Sequence, residues 1–176
     1  MSGARHLPSL DTQRLTLRAP GPKDLPAYQA FYAETDASVG KYRGGRSDAD
    51  ISTILERDIQ HWQDKGFGIW LLRSKDDATV LGGAGLDHAD DWDTHELTWW
   101  LMPKARSKGY ATEASRAIIA FAYDTLGWTW VETFMRDHNI SAHRIAQRLG
   151  GRVVRRDTFP DGISRDVYAL PRGAQA

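Results

Sequence analysis

Residues 99–114 read WWLMPKARSKGYATEA, and this stretch decides the fold that we expect. It predicts an apolar strand, then a short basic turn, then the start of an alanine-rich helix. Small residues at a helix start leave backbone N–H groups open to a ligand, and the helix dipole adds partial positive charge there. Arg106 and Lys108 add full charges beside the turn. The stretch therefore indicates a phosphate or pyrophosphate site, although surface bases on an ordinary strand-turn-helix would give the same pattern.

The composition limits the classes of protein to which the chain can belong. With 176 residues, 41% apolar and 26% charged, it is typical of a globular protein, and we expect one domain over residues 1–176 with an ordered core from about 12 to 172. Zero formal net charge predicts no nucleic-acid partner. The lack of cysteine excludes disulfides and thiolate chemistry and suits a reducing compartment. Because no apolar run approaches spanning length and residues 1–10 lack a signal core, we expect a cytoplasmic protein without a membrane partner.

Hydrophobic spacing predicts the order of the structural elements. The order is strand, two helices, three strands, helix, strand, helix and two strands, which gives a mixed α/β sheet with helices on both faces. Helices are predicted from about residue 25, after Ser47, from about Gly109 and after Asn139. Residues 39–46 and the acidic residues 88–94 are predicted as loops. The predicted strands cover residues 14–18, 67–73, 80–86, 95–102, 128–136, 152–156 and 163–170.

The pattern Arg106-x-x-Gly109-x-Ala111 resembles the acyl-coenzyme A signature of the GNAT N-acetyltransferase superfamily. The longer phrase KGYATEA, residues 108–114, is similar to the branch that contains the ribosomal-protein alanine N-acetyltransferases, and TQRLTLR, residues 12–18, resembles its opening strand. The resemblance covers nearly the whole chain. It implies a GNAT-like, mostly antiparallel central sheet with helices on both faces. It also implies an enzyme that uses acetyl-coenzyme A as cosubstrate and acetylates a primary amine directly, without a metal.

The same resemblance implies which residues hold the cofactor. The central strand of the family splays from its neighbour, so Trp100, Leu101 and Met102 would offer backbone groups to the pantetheine arm. Asn139, at the start of the second crossover helix, would bind the same arm, although a capping role explains this residue without chemistry. The pyrophosphate would be bound by residues of the turn and the helix start, namely Arg106, Ser107, Lys108, Gly109, Tyr110, Ala111 and Thr112.

Glu96 is the candidate for proton removal. It lies early in the central strand, and period two places Glu96, Thr98 and Trp100 on one face, with Thr98 where the branch usually has glycine. A carboxylate in a partly apolar cleft has a raised pKa and can accept a proton from the amine, directly or through water. It could instead only hold a cationic amine, or be an exposed glutamate at a strand start.

Ser141 is the candidate for stabilising the leaving thiolate. It lies in the first turn of the helix that follows Asn139, and there its hydroxyl could donate a proton or hydrogen bond to sulfur, or serve only as a cap. Many GNAT enzymes use a tyrosine for this step, and Tyr168 is not at the corresponding place. His143 occupies a position often held by arginine in the branch, and its contact with the cofactor stays open.

The remaining clusters are weaker indications. Asp87, Asp90, Asp91, Asp93 and Glu96 lack the glycine and spacing of a calcium loop, so a solvated loop that could attract a cationic acceptor is expected. The six histidines have no zinc-binding spacing, and no metal site is expected.

The sequence leaves the acceptor and two rival functions open. The acceptor amine could be a protein N-terminus or a small molecule, and the chain could be a monomer or a homodimer. A non-catalytic acyl-coenzyme A sensor would keep the turn and leave Glu96 and Ser141 idle. A nucleotide-binding module is the other rival, and the lack of a glycine-rich loop after the first strand counts against it.

Overall fold

The computed structural model describes residues 6–33, 46–89 and 92–173, in which eight strands and four α-helices follow one another. The helices are α1 (Leu25–Ala33), α2 (Asp48–Lys65), α3 (Tyr110–Asp124) and α4 (Ile140–Arg148). None of the helices in these ranges is long and apolar enough to cross a membrane. The strands are β1 (Leu10–Asp11), β2 (Leu15–Arg18), β3 (Ile69–Ser74), β4 (Val80–Ala89), β5 (Trp92–Leu101), β6 (Val131–Phe134), β7 (Arg152–Thr158) and β8 (Ser164–Leu170).

All eight strands belong to one sheet, in the order β1-β2-β3-β4-β5-β6-β8-β7. Every neighbouring pair is antiparallel except β5 and β6, which are parallel because α3 crosses over between them. This arrangement confirms the predicted mixed and mostly antiparallel sheet.

Two apolar layers cover the two faces of the sheet. Alternation along β3 sends Trp70 to one face and Leu71 to the other. The Trp70 side packs against α3 and α4, as the buried Ile118 and Ala146 show. The Leu71 side packs against α1 and α2, through residues such as Tyr28. Helices on both faces are thus confirmed.

Local signals set the ends of α2 as the sequence predicts. The Ser47 hydroxyl accepts a hydrogen bond from the Asp50 N–H at 3.1 Å, and the Asp50 carboxylate accepts one from the Ser47 N–H at 3.0 Å. Gly66 ends the helix with a left-handed φ of 77°. The resulting position of α2 closes the face of the sheet on which Glu96 lies.

The glycines of β4 let Trp100 lie flat against that strand. A Cβ atom at Gly83 would stand 2.5 Å from the Trp100 indole nitrogen, so only glycine fits. On its other side Trp100 packs against Phe31 of α1, with 4.2 Å between ring centroids. Trp100 is therefore held between β4 and α1 by close packing on both sides.

Several predicted boundaries are wrong. The acidic segment 88–94 is not a loop over its whole length, since β4 continues to Ala89 and β5 already begins at Trp92. Strand β6 is shorter than residues 128–136, and the short β1 has no counterpart in the prediction. The loop predicted at 39–46 lies, except for Arg46, outside the described residues, as do Asp90 and Asp91.

Candidate active site

The turn between β5 and α3 presents open backbone donors. Ser107 and Gly109 both have left-handed φ angles, 61° and 82°, so the chain doubles back before the helix begins. Gly109 is the N-cap residue of α3 and no side chain caps this end. The N–H groups of the first turn therefore lie outside the hydrogen bonding of the helix and are available to an anion.

The Arg106 side chain also indicates that this turn binds an anion. Its Nη2 atom is buried and, among the described residues, has no hydrogen-bond partner. A buried guanidinium nitrogen without a partner costs free energy, and a phosphate oxygen is the group that best satisfies it. The residues present thus suit a pyrophosphate.

Hydrogen bonds from residues near the start of the chain fix the geometry of this turn. Glu113, in the first turn of α3, accepts hydrogen bonds from the Thr12 hydroxyl at 2.6 Å and from the Arg14 N–H at 2.7 Å. The Arg14 guanidinium donates to the other Glu113 oxygen at 2.6 Å and to the Lys108 carbonyl at 2.9 Å. It also stacks over the Tyr110 ring, 4.3 Å from the centroid. Partial burial alone would raise the pKa of Glu113, but the hydrogen bonds from Thr12 and Arg14 lower it. The Glu113 carboxylate therefore stays ionised near neutral pH.

A cavity of about 220 Å³ lies where this turn meets α4 and the end of β5. Three residues that the sequence did not indicate also line it, Arg144, Ile145 and Arg148. Seven of the predicted site residues share its wall, namely Leu101, Ser107, Gly109, Tyr110, Ala111, Thr112 and Ser141.

Strands β5 and β6 part next to this cavity. Their single register pair is Glu96 with Glu132, and one residue further on the Thr133 hydroxyl donates to the Leu97 carbonyl at 2.8 Å. Because backbone groups alternate along a strand, those of Trp99 and Leu101 point toward the β6 side beyond the last pair. This parting is the feature that the family resemblance implies.

Trp100 and Met102 are placed differently from Leu101. Trp100 pairs with Gly83 of β4. The Met102 N–H donates to the Leu81 carbonyl at 2.9 Å, and the Met102 carbonyl accepts from Ala105 at 2.9 Å. The backbone groups that face the gap therefore belong to Leu101 and to Trp99, which the sequence did not single out.

Glu96 lies at the point where the two strands part. It is half-buried and stands opposite Asp87 of β4 and Glu132 of β6. Burial first, and then the negative charges of Asp87 and Glu132, raise the pKa of Glu96 to about 8, while Arg165 opposes this rise. The carboxyl group can thus exchange a proton near neutral pH. The predicted raised pKa has its cause in this geometry.

Helix α2 adds further charged groups to the Glu96 face. His61 Nε2 lies 3.5 Å from Asp87 Oδ1, an ion-pair distance too long for a good hydrogen bond. Contact with Asp87 raises the pKa of His61 and lowers that of Asp87. Asp58 accepts a 2.8 Å hydrogen bond from the Tyr28 hydroxyl, and burial raises its pKa. This face can accommodate a cationic ligand, since it carries several carboxyl groups.

The start of α4 carries the other candidate groups. Asn139 is the N-cap, as predicted, and its Oδ1 accepts bonds from the Ala142 N–H at 3.3 Å and the Ser141 hydroxyl at 3.2 Å. Ser141 is exposed on the wall of the cavity, and its long bond to Asn139 can be exchanged for another acceptor.

His143 contacts protein groups through both nitrogens of its ring. Its Nδ1 lies 2.9 Å from the Tyr168 hydroxyl, and its Nε2 lies 3.2 Å from the Arg136 carbonyl. Both ring nitrogens are therefore engaged with protein groups, and Tyr168 is buried in the core. Within the described ranges, moreover, no three His, Asp or Glu side chains converge as a metal site would require.

Comparison with known proteins agrees with this geometry. The family model described as Acetyltransferase (GNAT) domain matches residues 14–152. The chain belongs to this family. It is therefore a GNAT acetyltransferase, which leaves the nucleotide-binding alternative without support.

Individual relatives show how far this likeness extends. The uncharacterized N-acetyltransferase YnaD of Bacillus subtilis strain 168 is 27% identical over 153 residues, 85% of this chain and 84% of that protein. An acetyltransferase structure from Agrobacterium tumefaciens strain C58 is 26% identical with a TM-score of 0.81, covering 97% of this chain and 98% of that one. A ribosomal L7/L12 alpha-N-protein acetyltransferase, solved in complex with coenzyme A, shares the fold with a TM-score of 0.74 at 13% identity, covering 95% of this chain and all 100% of the other.

Proposed function

We propose that this GNAT acetyltransferase uses acetyl-coenzyme A to acetylate a primary amine by direct transfer. The observation that carries the proposal is the arrangement of three features along the end of β5 and the turn that follows it. These are the uncapped start of α3, the gap between β5 and β6, and the ionisable Glu96 at the head of that gap.

The binding roles follow from the groups already described. The open N–H groups of α3, from Tyr110 to Thr112, and the Arg106 guanidinium with its buried Nη2 atom would hold the pyrophosphate. Leu101 and Trp99 would orient the pantetheine arm through their backbone groups. Bound there, acetyl-coenzyme A would supply the activated acetyl thioester. Coenzyme A in the ribosomal-protein enzyme of the same fold is consistent with this choice of cofactor.

Glu96 would remove the proton of the acceptor. An amine arrives largely as an ammonium ion near neutral pH and must become neutral before it attacks. A carboxylate whose pKa lies at about 8 is matched to that transfer better than an ordinary glutamate. Negative charge at Asp87 on the same face would favour approach of the cation.

Ser141 would hold a proton toward the departing sulfur. Its hydroxyl lies on the cavity wall next to the Asn139 amide, which can orient it. An acidic or hydrogen-bonding group at this point lowers the barrier because negative charge on sulfur develops only in the transition state.

The proposal is tested by offering the purified chain acetyl-coenzyme A with a panel of small primary amines and of peptides that differ at their N-terminal residue. We expect thiol release together with a product heavier by one acetyl group, and none with N-terminally blocked peptides that lack lysine. The two halves of the panel separate a peptide acceptor from a small-molecule acceptor. Tight binding of acetyl-coenzyme A without transfer to any amine would contradict the proposal and favour a sensor.

A further inference from the structure

The imidazole ring of His61, near the end of α2, is held in one orientation. Its Nδ1 atom lies 2.8 Å from the Phe67 carbonyl oxygen, and the Phe67 ring meets the imidazole edge to face, with 5.3 Å between ring centroids. The chain at Gly68 also lies close to the ring, since a Cβ atom there would stand 3.2 Å from His61 Nδ1. This orientation leaves Nε2 facing Asp87 of β4, 3.5 Å from Oδ1.

The contacts of the ring indicate that it carries a positive charge. A carbonyl oxygen only accepts hydrogen bonds, so in a neutral His61 ring the proton is on Nδ1 and Nε2 keeps its lone pair. That lone pair would face a carboxylate, and Nε2 is buried without a hydrogen bond to any described residue. A second proton, on Nε2, turns this unfavourable contact into an ion pair. Contact with Asp87 accordingly raises the pKa of His61.

Asp87 connects this ion pair to the proposed base. It is the register partner of Glu96 on the neighbouring strand, and the Cβ atoms of such antiparallel partners lie about 4.5–5.5 Å apart on one face of the sheet. Within the described ranges, His61 is the cation that forms an ion pair with Asp87. The other charged groups that act on these three residues are Arg57 and Asp58 of α2, Glu132 of β6 and Arg165 of β8.

We propose that His61 is a positioning residue for removal of the acceptor proton and acts on Glu96 through Asp87. The inference rests on the proposed function, because it requires Glu96 as the base. The imidazolium holds the Asp87 carboxylate toward α2 and offsets its negative charge, which would otherwise act in full on Glu96. His61 thereby limits the rise in the Glu96 pKa that Asp87 causes, so more of the base is ionised near neutral pH.

The pH profile of His61→Gln tests the inference, because glutamine can still donate a hydrogen bond to the Phe67 carbonyl but carries no charge. An increase of about one pH unit in the Glu96 pKa would leave about a tenth as much carboxylate at pH 7. We therefore expect kcat/KM of His61→Gln to be about three- to tenfold below that of the wild type near pH 7 and close to it above about pH 9.5. His6→Gln, at an exposed position near the N-terminus, is the matched control and should follow the wild type.

The Asp87→Asn background shows whether His61 acts through Asp87. Without that carboxylate nothing holds the second proton, so His61 is largely neutral above about pH 7.5 and His61→Gln should change kcat/KM little there. Histidine NMR gives a readout apart from activity. The His61 ring, assigned by comparison with His61→Gln, should titrate about one pH unit higher in the wild type than in Asp87→Asn.

Several results would overturn the inference. They are an equal His61 titration in the wild type and Asp87→Asn, a His61→Gln profile identical to that of the wild type, and an equal loss in kcat/KM when His61→Gln is made in the Asp87→Asn background. A loss that is the same at every pH would also overturn it, because His61 would then only support the packing of α2. Absence of transfer from the wild type to any amine would instead refute the proposed function, and with it the role of His61 toward a base, while the NMR titration would still show the ion pair.

Discussion

Replacing Glu96 by glutamine tests the proposed proton transfer through its pH dependence. With a pKa of about 8, only about a tenth of the Glu96 side chains are ionised at pH 7, and about nine-tenths at pH 9. The rate that depends on the Glu96 carboxylate should therefore rise about tenfold between these pH values. Glutamine keeps the size of the side chain and cannot take the proton, so kcat/KM should fall by about 10²–10⁴-fold at pH 9.

The assay is steady-state kcat/KM for one acceptor from pH 6 to pH 9.5 in both proteins. The acceptor amine also loses a proton over this range, but the ratio of wild type to Glu96→Gln cancels that effect. We expect the ratio to climb about tenfold from pH 7 to pH 9 and then to level off. A ratio that stays constant with pH, or a raised KM for the amine with unchanged kcat, would refute the role of Glu96 as base.

Asp87→Asn tests the cause of the shifted pKa. The Asp87 charge is, after burial, the largest cause that raises the pKa of Glu96. Its side chain is 53% exposed, so the substitution should leave the fold intact. Without this charge the rise of kcat/KM should move to lower pH. An unchanged profile would show that Asp87 does not act on Glu96.

The same shift predicts the sign of a stability change. Glu96 has a pKa of about 8 in the folded chain and about 4.5 when unfolded, so its neutral form stabilises the fold fully below about pH 4.5. That contribution is lost as the pH rises through about 8. Glu96→Gln should therefore gain stability relative to the wild type between pH 5 and pH 8. The upper bound is about 5 kcal/mol, at about 1.4 kcal/mol per pH unit, and partial exposure of Glu96 reduces it.

Three further predictions concern the turn, the leaving group and the face opposite α3. Glu113→Gln removes the charge that pairs with Arg14, so the affinity for acetyl-coenzyme A, measured by calorimetry, should fall severalfold. Unchanged affinity would show that the Arg14–Glu113 ion pair does not hold the turn in its binding geometry. Ser141→Ala should lower kcat more than it lowers the affinity for acetyl-coenzyme A. If kcat of the variant equals that of the wild type, Ser141 serves only to cap the helix. Tyr28→Phe leaves the buried Asp58 without its 2.8 Å donor and should cost about 1–3 kcal/mol in urea unfolding; a loss within error would show that water replaces the hydroxyl.

Local signals in the sequence account for much of this molecule. The turn at Gly109, the cap at Asn139 and the capping box at Ser47 depend on residues a few positions apart, so a single segment reveals them. The raised pKa of Glu96 was also foreseeable in direction, because the strand period places the carboxyl on a covered face.

Contacts between distant segments could not be predicted in the same way. Arg14 reads as the polar face of a strand, and only the fold brings it to Glu113, 99 positions later. The parting of β5 from β6 is a property of two backbones and leaves no pattern in either strand.

The wrong prediction at residues 88–94 has a physical reason. The acidic composition suggested a loop, but tertiary contacts extend the hairpin. His88 bonds to the Thr94 carbonyl at 2.7 Å, and His95 stacks between Trp128 and Trp130, with 4.0 and 3.8 Å between ring centroids. These contacts stabilise extended backbone in a segment whose own preference is weak.

Calorimetric titration of acetyl-coenzyme A into Gly109→Val and Gly127→Val tests the central assignment most directly. Both glycines have left-handed φ angles, 82° and 70°, so both variants pay a similar backbone cost of about 1–2 kcal/mol. A Cβ atom at Gly127 would meet nothing within 4 Å, whereas one at Gly109 would stand on the pyrophosphate turn, 3.4 Å from Arg14. We predict that folded Gly127→Val binds acetyl-coenzyme A like the wild type and that folded Gly109→Val binds it at least tenfold more weakly, on the order of one lost charge-assisted contact. Equal affinity of the two variants would contradict the placement of the cofactor at the start of α3.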